Sequence, residues 1–254
     1  MLMIRRPLRV ALLCSRRAPG LERLLEAGRE PDGEYELVAA VTTTAECEAL
    51  PALSAAGVPV TVHDARLFHR TCGSPLSSRE ARRAYDGRTV RILAEHRPEL
   101  VLLSSYLLVL TEPMLTAYAD RIVSVHDSDM SLLGPDGRPR WRGLRSTRDA
   151  IACGARETRS TVHLVTEEVD TGPTLVRSGP FPVHPMIEDA RRWGAEDIVS
   201  AYAYAHREWM MRAAWGDLLD RATRMFARGE IGVTRPAPGG SPARPGANRA
   251  GVEV

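Results

Sequence analysis

The sequence predicts an α/β fold, a mostly parallel β-sheet flanked by helices, and three observations predict it. Short, continuously apolar runs recur through the first half of the chain. Amphipathic segments of helical period separate them. After Thr161 the pattern changes to two strand-like runs joined by a short acidic turn. Strand and helix in alternation argue for right-handed βαβ units, because parallel strands need a crossover between them.

The first run, "LRVALLC" (Leu8–Cys14), has the unbroken apolar character of a strand buried on both faces. "YELVAAVTT", "VPVTV", "ELVLLSS" and "RIVSVH" repeat it. Between them, residues 21–27, 45–56 and 77–96 read as helices, the last with an apolar face through Ala81, Tyr85, Val90 and Leu93. "TVHLV" and "TLVRSGPFPV", linked by "TEEVDTGP", read as an antiparallel hairpin, since so short a link leaves no room for a crossover. Residues 197–228 read as one long helix or two, with Ile198, Tyr202, Ala205, Trp209, Ala213 and Leu218 as inward positions. Trp193, Trp209 and Trp215 near this stretch either pack internally or form the contact of a homodimer. The Pro- and Gly-rich residues 235–254 have little to bury and are expected to be disordered, so residues 1–234 are taken as one domain.

With 254 residues, 44% of them hydrophobic, the chain can fill one substantial core. Lys+Arg at 34 against Asp+Glu at 32 leaves a formal charge of +2, without the clustered basic excess of a nucleic-acid binder. Every one of those cations is an arginine, so arginine pairs are weak evidence of a site. Cys14, Cys47, Cys72 and Cys153 show no metal-finger spacing and the chain opens without a signal-peptide pattern, which predicts a cytoplasmic protein with no metal. The apolar runs fall short of the roughly 20 residues of a membrane span.

In a doubly wound, Rossmann-like sheet, ligands sit outside the carboxyl ends of the strands, near the point where strand order reverses. His126, in "SVHDSDMSLLG", lies at such an end, and Asp170, in the acidic hairpin turn, reaches the same crevice if the hairpin packs beside that strand. A carboxylate beside an imidazole favours its cationic form.

The ordered pieces "ELVLLSSYLLVLTEPML", "RIVSVHDSD", "RWRG", "AIACG", "TVHLV" and "EEVDTGP" resemble the folate-dependent formyltransferases. That family includes glycinamide ribonucleotide, methionyl-tRNA and sugar N-formyltransferases, and the resemblance runs from about Leu8 to Ala227. It implies the formyltransferase fold, with its C-terminal antiparallel hairpin and long helix. It also implies transfer of a formyl group from 10-formyltetrahydrofolate to an amine through a tetrahedral intermediate, with His126 and Asp170 at the catalytic positions. A cationic imidazole aimed at the formyl oxygen stabilises the charge that develops there. Tyr106, Leu108, Val109 and Leu110, with Thr166, Glu167 and Val169, stand where the family lines its pterin slot, and Ser15, Arg16, Arg142 and Gly143 stand on the acceptor side. His163 is expected as a structural neighbour.

Three departures qualify the resemblance. Ser124 takes the place of the family's asparagine two residues before the histidine, which makes it a shorter donor to the formyl oxygen. "CSRRAPG" replaces a Gly- and Ser-rich phosphate loop with arginines, which ranks the purine acceptor behind other small amines. "GPDGRP" lengthens the segment before "RWRG" and reads as a surface loop that shapes the acceptor side. With no basic module expected after the catalytic domain, a tRNA acceptor is not expected, and neither a nucleic acid nor a membrane is expected as a partner. The alternatives are a 10-formyltetrahydrofolate hydrolase, though the regulatory domain such hydrolases carry is not found before Leu8, and a folate-binding relative with little or no turnover. A plain NAD-binding domain is disfavoured, because no G-x-G-x-x-G follows the first run.

Overall fold

In the computed structural model, which describes residues 6–231, five parallel strands begin the sheet. They are β1 (Leu8–Cys14), β2 (Tyr35–Thr42), β3 (Val60–Val62), β4 (Leu100–Leu103) and β5 (Ile122–His126). β6 (Glu157–Thr158) pairs with β9 (Phe181–Pro182) in a separate ribbon, while β7 (Thr161–Leu164) and β8 (Thr174–Arg177) continue the main sheet. The main order is β3-β2-β1-β4-β5-β7-β8, with β7 antiparallel to both β5 and β8. Strand order therefore reverses between β1 and β4, and the carboxyl ends of those strands open the crevice that such a reversal creates.

β1 shows why the apolar runs are unbroken. Val10, Leu12 and Cys14 enter one apolar layer and Ala11 and Leu13 the other, so no position from Val10 to Cys14 faces water. The first layer lies under α1 (Leu21–Ala27) and the 33-residue α8 (Glu196–Arg228), which ends on Gly229 in the left-handed region. The second lies under α4 (Arg79–Ala94), capped by the Ser78 hydroxyl, and α5 (Glu112–Ala117).

Several details differ from the sequence reading. The helix expected over 45–56 is only α2 (Leu50–Ala55), because Pro51 fits the first turn of a helix but cannot lie further inside one. α3 (Ala65–Thr71), capped by Asp64, α5 and α7 (Met186–Arg192) had no expectation. They are too short for periodicity to register. "TLVRSGPFPV" is not one strand, since β8 ends at Arg177 and the chain turns through Gly179 into the small ribbon. On α8 the inward face is offset by about one residue from expectation, running through Val199, Ala203, His206, Met210, Trp215 and Leu219. Ile198 and Trp209 are exposed, as are Ala205 and Ala213. Adjacent apolar pairs such as Met210–Met211 and Ala214–Trp215 make both registers look equally good in sequence. α6 (Ser146–Ala152) follows the Arg142–Gly143 pair. The expected tail, with the end of the expected domain, lies outside the described residues. No described helix is long and apolar enough to cross a membrane.

Candidate active site

β5 delivers Ser124 and His126 to the wall of a cavity of about 280 Å³ at the carboxyl end of the sheet. The turn between β7 and β8 brings Asp170 there, because β7 pairs with β5 in a register that sets His126 opposite Thr161. Gly172 permits the turn to close on itself. A Cβ at that position would lie 1.8 Å from the Leu164 carbonyl oxygen, so any larger residue would push the turn away from the strand.

His126 Nδ1 lies 3.5 Å from Asp170 Oδ2, with both side chains largely buried. The other ring nitrogen, Nε2, donates to the Trp141 carbonyl at 3.0 Å, and the Ser128 hydroxyl donates to the same oxygen at 2.8 Å. This fixes the ring plane and leaves Nδ1 as the nitrogen on the carboxylate side. Asp170 is itself held, its Oδ2 accepting from the Gly143 N–H at 2.7 Å. Gly143 supplies that N–H from the left-handed region, at φ 77°, where glycine is unstrained. Asp170 adopts φ 54°, a conformation aspartate tolerates better than most residues. On its far side, Oδ1 faces His163 Nε2 at 3.8 Å. Burial pushes the His163 imidazole below its usual value, and its Nδ1–H donates to the Leu164 carbonyl, leaving Nε2 without a hydrogen-bond partner among the described residues. Asp170 thus stands between two imidazoles. The Ser124 hydroxyl makes no hydrogen bond to any described residue.

The same cavity is walled by Tyr106, Leu108, Val109 and Leu110 after β4, and by Thr166 and Val169 in the hairpin turn. Two side chains hold the β4 loop open. The Ser15 hydroxyl accepts from the Leu107 N–H at 3.0 Å, and buried Asp86 accepts from the Thr111 N–H and hydroxyl at 2.6 and 2.7 Å. Between these pins, the N–H groups of Leu108, Val109 and Leu110 have no partner among the described residues. A flat heteroaromatic ring with edge acceptors fits such a slot, apolar in its walls and supplied with backbone donors at its rim. Glu167 lies beyond it, in an adjoining groove of about 1030 Å³.

The acceptor-side residues are more scattered than the sequence reading has them. Gly143 lines the cavity, but its N–H is already given to Asp170. Arg142 does not line it and pairs instead with Asp136 and Glu168. Ser15 and Arg16 line a separate cavity of about 400 Å³, across Leu107 and Leu108 from His126. The neighbouring Arg17 is bound to Glu208 of α8, with Nη1 2.8 Å from Oε2.

Sequence reasoning missed four contributors: Asp86, the Gly143 N–H as the anchor of Asp170, and the pair Asp127 and Arg207. Asp127, directly after His126, accepts from Arg207 Nε and, at 2.9 Å, from the Trp215 indole N–H. Burial pushes its carboxyl up, while Arg207, His126 and Trp215 pull it back down. The carboxylate after the histidine was visible in "VHDS", but nothing marked Arg207 as its partner. Among the described residues no group of three or more His, Cys, Asp or Glu side chains could hold a metal ion.

The model of the family described as formyl transferase matches residues 8–220. A phosphoribosylglycinamide formyltransferase of Mycobacterium tuberculosis is 31% identical over 179 residues, which cover 70% of this chain and 72% of that protein. The trifunctional purine biosynthetic protein adenosine-3 of Gallus gallus is 30% identical over 181 residues, so that the match spans 71% of this chain but 16% of that longer protein. In crystal structures, glycinamide ribonucleotide transformylase 1 from Symbiobacterium toebii superposes with a TM-score of 0.65 at 27% identity, covering 88% of this chain and 89% of its own. A formyltetrahydrofolate deformylase from Burkholderia mallei shares the fold, with a TM-score of 0.61 at 17% identity over 89% of this chain and 66% of its own.

Proposed function

The chain belongs to the formyl transferase family, and from that premise we propose that it transfers the formyl group of 10-formyltetrahydrofolate to the amine of a small-molecule acceptor. One observation carries the reading. Two residues far apart in sequence, His126 and Asp170, come within 3.5 Å of each other on the wall of a cavity that also holds the apolar, donor-rimmed loop after β4.

The chemistry follows from the geometry. The acceptor nitrogen adds to the formyl carbon, the bond from that carbon to the folate nitrogen breaks, and one proton moves from the amine to the departing nitrogen. Negative charge builds on the formyl oxygen during the addition. The Nδ1 side of the His126 ring, the nitrogen not given to Trp141, and the hydroxyl of Ser124 are the donors available to it, and a preorganised donor at such a position is worth about 3 kcal/mol. Asp170, 3.5 Å from His126 Nδ1, orients the ring and takes part in the proton's passage. Its Oδ1, on the side away from His126, supports this role because among the described residues it accepts no hydrogen bond and faces His163 at 3.8 Å.

The relatives' names make glycinamide ribonucleotide the first acceptor to assay, although the loop after β1 has arginines where that family has glycine and serine. The test is to supply 10-formyltetrahydrofolate with glycinamide ribonucleotide and with pooled small amines, following tetrahydrofolate release and the mass of the formylated product. Release that requires an amine is the expected result. Release in water alone would replace transfer by hydrolysis, and binding without release would leave a folate-binding protein.

A further inference from the structure

The acceptor side of the cavity contains a charged group that the formyl-transfer chemistry does not use. Arg207 projects from α8 into the cavity wall and is the only arginine among its lining residues. Its Nε is held by Asp127, which is itself fixed by the Trp215 indole, while its two Nη groups have no hydrogen-bond partner among the described residues. The Arg207 side chain is 26% exposed and that of Asp127 6%. A long side chain pinned at Nε by a buried carboxylate cannot swing out to solvent without leaving that charge unpaired, a costly arrangement. The planar fork is therefore preorganised, and its open edge matches the paired oxygens of a carboxylate or phosphate.

Its position shows which substrate it addresses. Tyr106 and Leu110 of the β4 loop pack into the apolar layer under α4 and α5, whereas α8 covers the opposite face of the sheet. His126 ends β5, and Asp127, the next residue, turns to the α8 side, where Arg207 and Trp215 hold it. A ligand in the β4-loop slot and a ligand on Arg207 thus approach the imidazole from opposite layers. The neighbouring cation on this side, Arg17, is already bound to Glu208.

We infer that Arg207, oriented by Asp127, is a specificity-determining residue that receives an anionic substituent, carboxylate or phosphate, of the acceptor amine. The inference rests on the formyl-transfer reading and adds to it the class of acceptor.

Two substrate pairs test it: glycine against glycinamide, and O-phosphoethanolamine against ethanolamine. Each pair is assayed as formyl acceptor with the wild type, with Arg207→Lys and with the double variant Asp127→Asn/Arg207→Gln, which leaves no orphaned charge. The wild type is expected to favour the charged member of at least one pair by about tenfold or more in kcat/KM, the scale of one charge-assisted hydrogen bond. The pair that responds distinguishes carboxylate from phosphate. The preference should be lost in the double variant and reduced in Arg207→Lys, which keeps the charge without the planar fork, in both cases through the KM of the charged member. Equal use of both members by the wild type, or equal loss of both in the variants, overturns the inference while leaving formyl transfer standing.

If no amine is formylated, the transfer reading fails, and calorimetric titration of the same three proteins with acetate and with inorganic phosphate decides the remainder. Saturable binding to the wild type that the double variant loses upholds the anion seat. No saturable binding to the wild type, or equal binding to all three, overturns it.

Discussion

Asp127 and Asp170 flank the same imidazole, and they are held in opposite ways. Asp127 is nearly inaccessible, and each of its oxygens accepts from a side chain donor, Arg207 on one and Trp215 on the other. Asp170 accepts one backbone N–H, sits 3.5 and 3.8 Å from two histidines, and keeps an oxygen with no close donor. Its backbone lies in the left-handed region, so part of the folding energy goes into placing it there. The contrast separates two uses of a buried acid. A carboxylate with a side-chain donor bound at each oxygen fixes other groups in place. One with loosely placed imidazole neighbours leaves an oxygen open toward the cavity side of the site.

The strongest test of that contrast is the pair Asp170→Asn and Asp127→Ala. The first is expected to lower turnover by about a thousandfold, within the range for a proton-transfer group, with little change in the unfolding midpoint. The second leaves Arg207 unpaired against the cavity wall and is expected to cost about 3–5 kcal/mol of stability. Thermal unfolding beside single-turnover rates reads both. A stable but slow Asp127→Ala together with an unstable Asp170→Asn would invert the assignment.

The sequence exposed these two acids unequally, and the rest of the fold likewise. The β1 range read from sequence, Leu8–Cys14, agrees with the structure at both ends, because the run from Val10 to Cys14 is unbroken and buried on both faces. The hairpin was legible for a related reason, since "TEEVDTGP" is too short to be a crossover. Asp170 was reached first as a carboxylate of the acidic hairpin turn able to meet His126, and the resemblance then matched it to the aspartate of "VDTGP". Arg207 gave no signal, as one arginine among many on a helix whose inward face was read one residue out of register. The N–H of Gly143 and the open N–H groups of Leu108, Val109 and Leu110 are backbone features, and backbone donors have no sequence signature.

The histidines extend the contrast, with a smaller effect. His126 faces a carboxylate, whereas His63, at the end of β3, stacks on Tyr85 with ring centroids 3.8 Å apart and has Thr89 as its hydrogen-bond partner. Burial, with Arg88 and Arg82 nearby, lowers His63 from its usual 6.5 to about 4. The unfolded chain therefore takes up a proton at this residue before the folded one does. Stability is fully present above pH 6.5, declines as the pH falls from 6.5 toward 4, and the total loss is about 3 kcal/mol at most. Urea unfolding of the wild type and His63→Gln at pH 7.5, 5.5 and 4.5 reads this as a difference between the two proteins that narrows as the pH falls. A constant difference across that range would show that His63 stays neutral in both states.

The smallest expected effect bears on the donor that completes the site. Ser124 lines the cavity two residues before His126, and its hydroxyl is uncommitted among the described residues. Successive strand residues point to opposite faces, so positions 124 and 126 share one, and a donor at 124 addresses the same carbonyl as the imidazole. A serine hydroxyl reaches less far than an asparagine amide, so Ser124→Asn should bring a donor closer to the formyl oxygen. A gain in turnover of about tenfold is expected, below the hundredfold or more lost when such a donor is removed outright, because the hydroxyl already supplies part of the interaction. The gain should appear in kcat and not in KM, since the charge being stabilised exists only in the transition state. If the rate falls instead, the added bulk displaces the acceptor, and the short donor at 124 is a fitted feature of this cavity.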